Sequence, residues 1–395
     1  MSILMTISEH CRITVSRALT ACRPCRFGAG FFLFLAAVAG FSGCEDPEDK
    51  KGPDAPPATS ARTAKVYVLN EGLYAMNNST LSCIDLKSGV LTPDVFQQVN
   101  GRGLGDTGNE LQRYGGKLYV CVSTSNTVEV LDAKTARSLR QIALYDEAGV
   151  GRQPRRITFW EGKAYVACFD GTVCRIDTAT LEAEAFCRVG RNPDGICAAN
   201  GKLYVSNSGG LDYPRYDSTV SVVSVAGFKE IKRINVTINP YTILSDRDGD
   251  VYVCTRGNYE EVSAGDPMGY GFRRIDSRTD ELVQRFDDLA VLNFTVQGDT
   301  AYLYNYDYNR KTSWIKVFDM ETETVLQENF IQDGTVLRTP YGMGVDPFSG
   351  DVYIGDAANF IVTGRVYCFS RDGKLKFWRE TGMNPQGFAF VGAAE

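Results

Sequence analysis

Histidine, the usual general base of enzymes, occurs once in this chain of 395 residues, at His10. That residue lies in an N-terminal segment with the features of a removable signal. A chain processed after this segment has no imidazole for a Ser-His-Asp relay, a His-rich metal site or haem ligation. Carboxylates such as Glu71, Asp194 and Glu260 remain as groups that could perform acid–base chemistry. We predict no catalytic residue, no metal and no cofactor; a hydrolase or lactonase that works through carboxylates is the alternative.

Cysteine is the other reactive residue type that occurs in number. Twelve cysteines are present, and eight of them follow Cys44. Most of the eight lie in apolar, strand-like stretches, where free cysteine packs as a small hydrophobe. Cys168 and Cys174 flank a short turn and could form a disulfide if the hairpin brings them opposite each other. The only Cys-x-x-Cys pair lies in the N-terminal segment, so we predict no zinc or thioredoxin-like motif in the rest of the chain.

A tyrosine-centred phrase recurs seven times and indicates which elements must position these groups. Each copy is a turn followed by a short apolar strand with a central tyrosine, as in Gly116-Lys117-Leu118-Tyr119-Val120. The mean spacing of the tyrosines is about 48 residues, and a period of roughly 40–50 residues is typical of one blade of a β-propeller. The seven tyrosines are Tyr67, Tyr119, Tyr165, Tyr204, Tyr252, Tyr302 and Tyr353.

Two further repeat positions complete the blade and close the ring. Most copies are followed by a strand that ends in an Asp-containing turn and preceded by a strand that begins with proline. The first phrase, at Tyr67, lacks the proline-led strand, whereas the last such strand, from Pro385, has no phrase after it. Pairing of these two segments would complete one blade and remove the free sheet edges. We predict an all-β, seven-bladed β-propeller closed by pairing of the N- and C-terminal strands, without a helix of useful length.

The connections between strands predict two different faces. Turns between the first and second strands of each blade are short, and so are the turns after the third strands. The connections between second and third strands are long and contain Tyr, Asn and Arg, at residues 70–78, 206–216, 255–271 and 305–313. Such residues on scaffolded loops suit a surface that stacks on a ligand and hydrogen-bonds its edges. The predicted ligand-binding residues on these connections are Asn70, Glu71, Tyr74, Tyr213, Tyr216, Arg256, Tyr259, Tyr306 and Tyr308.

Alignment of the repeats places one residue from each blade near the mouth of the central channel. The predicted binding residues at the mouth are Asn109, Arg155, Asp194, Tyr241, Tyr341 and Gln386, and Leu292 holds the equivalent position in the remaining blade. Two alternatives stay open: the tyrosines could pack only between neighbouring loops, and Arg155 and Asp194 could pair with each other. The Asp-Arg-Asp-Gly-Asp run at residues 246–250 has calcium-loop spacing but lacks the later Glu of an EF-hand, so we interpret it as a solvated hairpin turn.

The N-terminal region has the pattern of a lipoprotein signal. Four arginines lead into the apolar run 31–38, which is too short to span a bilayer as a stable helix. The run ends at Phe41-Ser42-Gly43-Cys44, which resembles a bacterial lipobox with Cys44 as the acylated residue. We predict a signal peptide over residues 1–43, an acylated cysteine and flexible tether over 44–63, and the propeller over 64–395. A secretory signal cleaved elsewhere is the alternative.

The charge balance argues against nucleic acid as a partner. The chain after Cys44 carries 38 Lys and Arg against 47 Asp and Glu, a formal net charge of −9. Neutralisation of phosphates by clustered basic residues dominates binding to nucleic acid, and no such cluster is present. We therefore predict no nucleic-acid partner. The predicted link to a membrane is the lipid anchor at Cys44.

The repeat motifs and the opening of the first blade together resemble a known family. The tyrosine phrase, the Ile-Asp turn and the proline-led strand are similar to those of YVTN/YncE-like seven-bladed propellers across residues 64–395. The stretch 68–72, the pair Asn77-Asn78 and the stretch 100–106 resemble the Bacteroidetes lipoprotein branch, and the acidic run 45–49 resembles the signal that directs such lipoproteins to the outer cell surface. That branch includes a surface protein that captures vitamin B12 and passes it to a TonB-dependent transporter.

The resemblance implies a function for the predicted face. It implies a non-enzymatic protein that is lipid-anchored in the outer membrane, faces the cell exterior and binds a small molecule, with a corrinoid as the leading ligand and a TonB-dependent outer-membrane receptor as the partner. Without histidine the chain cannot supply an imidazole to cobalt, so capture would use the periphery of the corrin. A scaffold that binds another envelope protein through the same loops is a further alternative.

Overall fold

The described residues form seven four-stranded antiparallel sheets. The computed structural model describes residues 63–258, 270–307 and 310–393. Blade 1 contains β1 Thr63–Asn70, β2 Thr80–Asp85, β3 Leu91–Thr92 and β28 Pro385–Gly392; blade 2 contains β4 Gly108–Tyr114, β5 Lys117–Val122, β6 Thr127–Asp132 and β7 Ser138–Ala143. Blade 3 contains β8 Pro154–Trp160, β9 Lys163–Cys168, β10 Thr172–Asp177 and β11 Ala183–Arg188; blade 4 contains β12 Pro193–Ala199, β13 Lys202–Asn207, β14 Thr219–Ser224 and β15 Lys229–Asn235. Blade 5 contains β16 Pro240–Ser245, β17 Val251–Arg256, β18 Tyr270–Asp276 and β19 Glu281–Phe286; blade 6 contains β20 Asn293–Gln297, β21 Thr300–Asp307, β22 Thr312–Asp319 and β23 Thr324–Gln327. Blade 7 contains β24 Pro340–Val345, β25 Val352–Asp356, β26 Arg365–Phe369 and β27 Leu375–Glu380, and one helix, α1 Val95–Asn100, follows β3.

The ring closes in the first blade, and the predicted seven-bladed propeller is confirmed. β28 pairs with β1 in antiparallel register, with Val66 opposite Phe390 and Val68 opposite Phe388. The innermost strands contact one another in ring order, from β28 through β4, β8, β12, β16, β20 and β24 back to β28. Strands from the two ends of the chain thus share one sheet, which leaves no open blade at either end of the ring.

The second strand of each blade forms the centre of the apolar core. Its residues are buried on both faces, as in β17, where every residue from Val251 to Arg256 is buried. Packing is shared between blades: Tyr204 of blade 4 lies in one apolar cluster with Val253 and Ile275 of blade 5. A strand covered on both sides is expected to be continuously apolar rather than alternating, and the repeated tyrosine phrase has that pattern.

The central tyrosines also bond to the following blade. The Tyr204 hydroxyl donates to Asp280 Oδ1 at 2.5 Å and to the Ser277 carbonyl at 3.1 Å, both in the turn between β18 and β19. The Tyr252 hydroxyl donates to the Met320 carbonyl at 3.0 Å, in the equivalent turn of blade 6. A tyrosine rather than a phenylalanine at these positions therefore links one blade to the next.

The short helix α1 was not predicted, and it covers an edge. β3 pairs with β2 at only two positions, Cys83 with Thr92 and Ile84 with Leu91, which leaves most of β2 without a fourth strand. α1 contacts β2 and buries Phe96 completely. Its first turn is capped by the Asp94 side chain, and it ends at Gly101, whose φ of 68° is left-handed. The helix thus protects the part of blade 1 that its short outer strand does not cover.

The remaining predictions about local features have clear outcomes in the described residues. All eight cysteines after Cys44 are free and buried. The proposed disulfide does not form because Cys168 lies opposite Thr172 and Cys174 opposite Val166. Residues 246–250 form the turn between β16 and β17, where the Asp250 amide donates to Asp246 Oδ1 at 2.8 Å. Among the described residues, no group of His, Cys, Asp or Glu could hold a metal ion, and no helix is long and apolar enough to cross a membrane.

Candidate ligand-binding face

The strand order assigns every connection to one of two faces. Connections from second to third strands, and from each outermost strand to the next blade, lie on one side, which we call the loop face; the remaining turns form the tight-turn face. The long connections predicted at residues 70–78 and 206–216 are confirmed, and they run over residues 71–79 and 208–218. Two others are shorter than predicted, because Arg256 ends β17, β21 continues to Asp307 and β22 begins at Thr312. Their tyrosine and arginine side chains belong in part to the sheets.

Exposed large apolar side chains are concentrated on the loop face. Of the eighteen such side chains among the described residues, ten lie on loop-face connections and two, Val90 and Phe348, on the tight-turn face. The other six lie on outermost strands or on α1. The loop face is therefore the candidate face for interaction, because contiguous exposed apolar surface is where partners and ligands bind. The ten are Tyr74, Met76, Tyr145, Val150, Leu211, Tyr213, Ile238, Val336, Ile361 and Val362.

A β-bulge at the start of six of the innermost strands shapes the mouth of the channel. The pairing register shifts between Gly108 and Glu110 in β4, between Pro154 and Arg156 in β8, and at the same place in β12, β16, β24 and β28. A bulge interrupts the alternation of side chains and re-aims them. Successive residues of β4 and β8 can therefore both reach the polar contacts of the mouth.

The first half of these polar contacts runs through blades 7, 1, 2, 3 and 4. The Tyr341 hydroxyl donates to Glu71 Oε2, and Asn109 Nδ2 lies 3.4 Å from Glu71 Oε1. Arg155 donates to Asn109 Oδ1 at 2.5 Å and to Asp194 Oδ2 at 2.9 Å. Arg155, Asp194 and Glu71 are each only 1% exposed. Arg155 and Asp194 therefore pair with each other, which was the alternative to their predicted role in ligand binding.

The remaining polar contacts of the mouth form two sets. One set joins blades 2, 3, 5 and 6, and the other runs from blade 5 through blade 6 to blade 7. Arg156 donates to Glu110 Oε2 at 2.9 Å and to the Tyr241 hydroxyl at 3.4 Å. The guanidinium group of Arg256 lies 3.2 Å from the centre of the Tyr241 ring. Arg256 also donates to the Leu292 carbonyl at 3.1 Å. In a further set of contacts, Thr242 donates to Asn293 at 2.6 Å, Asn293 donates to the Tyr304 hydroxyl at 3.0 Å, and that hydroxyl donates to the Tyr341 carbonyl.

Together these contacts engage side chains from all seven blades, and we call them the inner ring. Its acidic members, Glu71, Glu110 and Asp194, match its basic members, Arg155, Arg156 and Arg256, in number. The charges therefore balance within the ring. Buried charges are tolerated only when they are paired and hydrogen-bonded, and Asp194 and Arg155 are paired with each other; Arg155 Nε has no hydrogen-bond partner among the described residues.

The electrostatics of the ring keep its central pair ionised. Burial alone would raise the pKa of Asp194, but the guanidinium groups of Arg155 and Arg156 lower it below its ordinary value. Burial opposes the charge of Arg156 as well, yet Glu110, Tyr241 and Asp194 raise its pKa well above the usual range. A general acid needs a raised carboxyl pKa near neutrality, and the shift of Asp194 is in the opposite direction.

The predicted binding residues divide into buried and exposed groups. Tyr74 is 40% and Tyr213 is 53% exposed on loop-face connections, and Tyr216, Tyr341 and Gln386 are partly exposed. Asn70 is fully buried at the end of β1, where it donates to Thr80 and Ser82, and Tyr306 is 5% exposed within the apolar core. Glu71, Asn109, Arg155, Asp194, Tyr241 and Arg256 are buried in the inner ring. Tyr259, Glu260, Tyr308 and the lipidation residue Cys44 lie outside the described residues.

Several members of the site were missed. Glu110, Arg156, Asn293 and Tyr304 belong to the inner ring but were not predicted. Repeat alignment selects one residue per blade, and the bulges of β4 and β8 bring in Glu110 and Arg156 as second residues. Asn293 follows the aligned Leu292 at the start of β20, which pairs without a bulge, and Tyr304 lies on the second strand of its blade. Met76, Ile361 and Val362 were not predicted either, because the prediction of the binding face rested on tyrosine, asparagine and arginine residues. The sequence does carry one signal for Arg156. Two consecutive arginines follow a strand-initiating proline in Pro154-Arg155-Arg156, which is an unusual run of charge at the start of an innermost strand.

The family of the chain follows from a match over most of its length. Residues 65–374 match the family described as a domain of unknown function (DUF5074). The chain belongs to the DUF5074 family. A search among curated proteins finds no match to this DUF5074 chain.

Solved structures that resemble the DUF5074 chain agree with the fold alone. A quinonprotein alcohol dehydrogenase-like protein from Bacteroides thetaiotaomicron is 17% identical over 83% of this chain and 78% of its own, with a TM-score of 0.56. Hydrazine synthase of Kuenenia stuttgartiensis is 16% identical over 67% of this chain and 77% of its own, with a TM-score of 0.53. The computationally designed Ika8 protein is 13% identical over 86% of this chain and 95% of its own, with a TM-score of 0.52.

Proposed function

We propose that this chain is a non-enzymatic binding lipoprotein, anchored through Cys44 in the outer membrane and facing the cell exterior. It captures a small nutrient molecule on its loop face and delivers it to a TonB-dependent outer-membrane receptor, with a corrinoid as the leading ligand. The single observation that carries the proposal is the concentration of exposed apolar and aromatic side chains on the loop face, where the described part of the chain places ten against two on the opposite face. Rigid scaffolds commonly present binding residues in this way.

The inner ring supports binding rather than channel transport or acid–base catalysis. Its charged groups are buried or largely buried and bonded within the ring, so they form a polar floor beneath the loops. Asp194, a candidate for the carboxylate alternative, is held ionised by two arginines. A ligand that lies above this floor would contact the exposed rims of the loops, and a corrin is broad, apolar across its body and ringed by amides.

The proposal is tested by calorimetric titration of the full chain with cyanocobalamin. We expect saturable binding by the wild type, and at least a tenfold weaker affinity for the double variant Tyr74→Ala, Tyr213→Ala, because losing an aromatic hot spot costs about 2 kcal/mol or more. Asp248→Ala on the tight-turn face is the matched control and should bind like the wild type. Absence of binding to any corrinoid would refute the ligand, and equal affinities of the double variant and the control would refute the face.

A further inference from the structure

Three loop-face segments of blades 7 and 1 form one continuous surface. The segments are residues 71–79 between β1 and β2, residues 357–364 between β25 and β26, and residues 381–384 before β28. The third segment joins the other two: the Gly72 amide donates to the Met383 carbonyl at 3.1 Å, and the Gly364 amide donates to the Gly382 carbonyl at 2.9 Å. We call this surface the uncharged patch.

The composition of the uncharged patch is unusual for an exposed surface. Among its 21 residues the only charged one is Glu71, which is buried and accepts a hydrogen bond from Tyr341. Its exposed large side chains include Met76 at 62%, Ile361 at 63% and Val362 at 44% exposure, and its exposed polar side chains, Asn77, Asn359 and Thr363, are uncharged. By contrast, the connection at residues 208–218 in blade 4 carries two aspartates and an arginine. The patch therefore favours an uncharged, apolar contact.

The backbone of the patch is held in conformations that are costly for non-glycine residues. Ala75 and Asn77 have φ values of 62° and 51°, and Ala358 and Phe360 have φ values of 54° and 71°. Such a conformation is strained for a non-glycine residue and persists only where its surroundings enforce it. The cost is greatest for a bulky side chain such as Phe360.

A buried carboxylate and an exposed side-chain amide hold this backbone. Asp106 accepts the Ala75 amide at 3.2 Å and the Asn77 amide at 3.0 Å. Asn359 Oδ1 accepts the amides of Ile361 and Val362, each at 3.2 Å. Both loops are thus fixed in shapes that keep Met76, Ile361 and Val362 out of the core, although burial of these side chains would be favourable.

The patch adjoins the mouth of the channel. Phe360 packs edge-on against Tyr341 with 5.7 Å between ring centres, and Tyr341 is the inner-ring residue that bonds Glu71. We propose that the uncharged patch binds the apolar body of an uncharged amphipathic small molecule, whose polar groups then lie over the inner ring. This inference rests on the proposed function, because it names the chemical class of ligand that the loop face accepts.

The test uses an uncharged probe, the dye Nile red, and the full chain. We expect saturable fluorescence enhancement with the wild type and an affinity at least tenfold weaker for the double variant Met76→Asp, Ile361→Asp, since a charge placed in the contact must be desolvated. Val336→Asp, at a loop-face side chain that is 80% exposed outside the patch, is the matched control and should stay within twofold of the wild type. A double variant that binds Nile red like the wild type, or a control that loses as much, would overturn the patch.

The same variants separate this inference from the proposed function. Far-ultraviolet circular dichroism and the urea midpoint establish that the double variant is folded, and the pair Met76→Ala, Ile361→Ala replaces it if it is not. Undiminished cyanocobalamin affinity in the double variant would overturn the patch as a ligand contact while the proposed function stands. Patch-dependent Nile red binding by a wild type that binds no corrinoid would refute the corrinoid and support the patch.

Discussion

Asp194 shows how a single residue depends on the bulged strands around it. Its carboxylate is 1% exposed, bonds to Arg155 at 2.9 Å and lies 3.9 Å from Arg156. Desolvation of a buried ion pair is offset only by its mutual attraction and hydrogen bonds, so removal of one partner leaves an uncompensated charge. The stability of the mouth therefore depends on Asp194 far more than on an exposed carboxylate of the loops.

We expect Asp194→Asn to lower the free energy of unfolding at pH 7 by about 3–5 kcal/mol, because Arg155 loses its buried partner. The folded pKa of Asp194 is lowered, so its contribution is present above its unfolded pKa of about 3.9 and is lost as the pH falls through the folded value. The difference between the wild type and the variant should therefore shrink as the pH falls below about 4. Urea unfolding across this pH range measures it.

The control for this prediction is Asp212→Asn. Asp212 pairs with Arg191 on the surface, with side chains 44% and 49% exposed, so its loss should cost about 1 kcal/mol or less. Equal destabilisation by the two substitutions at pH 7 would contradict the importance of burial.

At the scale of the strand, the central tyrosines provide a comparison within one protein. Tyr204 and Tyr119 occupy the same repeat position and are both fully buried. The Tyr204 hydroxyl bonds to Asp280 and Ser277, whereas the Tyr119 hydroxyl has no hydrogen-bond partner among the residues that the structure describes. A buried hydroxyl without a partner loses its hydrogen bonds to water and gains none in the folded protein, so it lowers the stability of the fold.

We expect Tyr204→Phe to lower the free energy of unfolding by about 1.5–3 kcal/mol, because it removes a hydrogen bond to a charged acceptor and leaves Asp280 without it. Tyr119→Phe removes a hydroxyl of similar burial and should be neutral or stabilising. Urea unfolding followed by circular dichroism compares the two. A larger loss at Tyr119 than at Tyr204 would show that the hydroxyl contacts between blades do not stabilise the ring.

The elements also show what the sequence could and could not predict. The tyrosine phrase and the split first blade were sufficient for seven sheets and their closure, because both depend on periodicity that local residues carry. The boundary of β21 was not predictable in this way: Asn305 and Tyr306 were predicted to lie in a loop but pair with β22, so Tyr306 enters the core. Glu110 and Arg156 enter the inner ring through bulges, which are set by pairing between strands rather than by residue type.

At the scale of the whole molecule, the propeller and its proposed anchor are independent features. We expect Cys44→Ala to abolish incorporation of a radiolabelled fatty acid and to release folded protein from the membrane fraction, because a lipid chain supplies the affinity of such a tether. Cys44→Ala should leave cyanocobalamin affinity unchanged in detergent-free buffer, which serves as the control for folding. Labelling that persists in the variant would refute the lipobox assignment.

The pairing of β1 with β28 has a practical consequence for any measurement of binding. Thr63 lies opposite Gly392, so the first described strand begins and the last one ends side by side on the tight-turn face. A sensor surface that captures the molecule through a C-terminal tag would therefore hold it by the face that carries few apolar side chains. Every immobilised copy would present its loop face to the flowing solution in the same orientation.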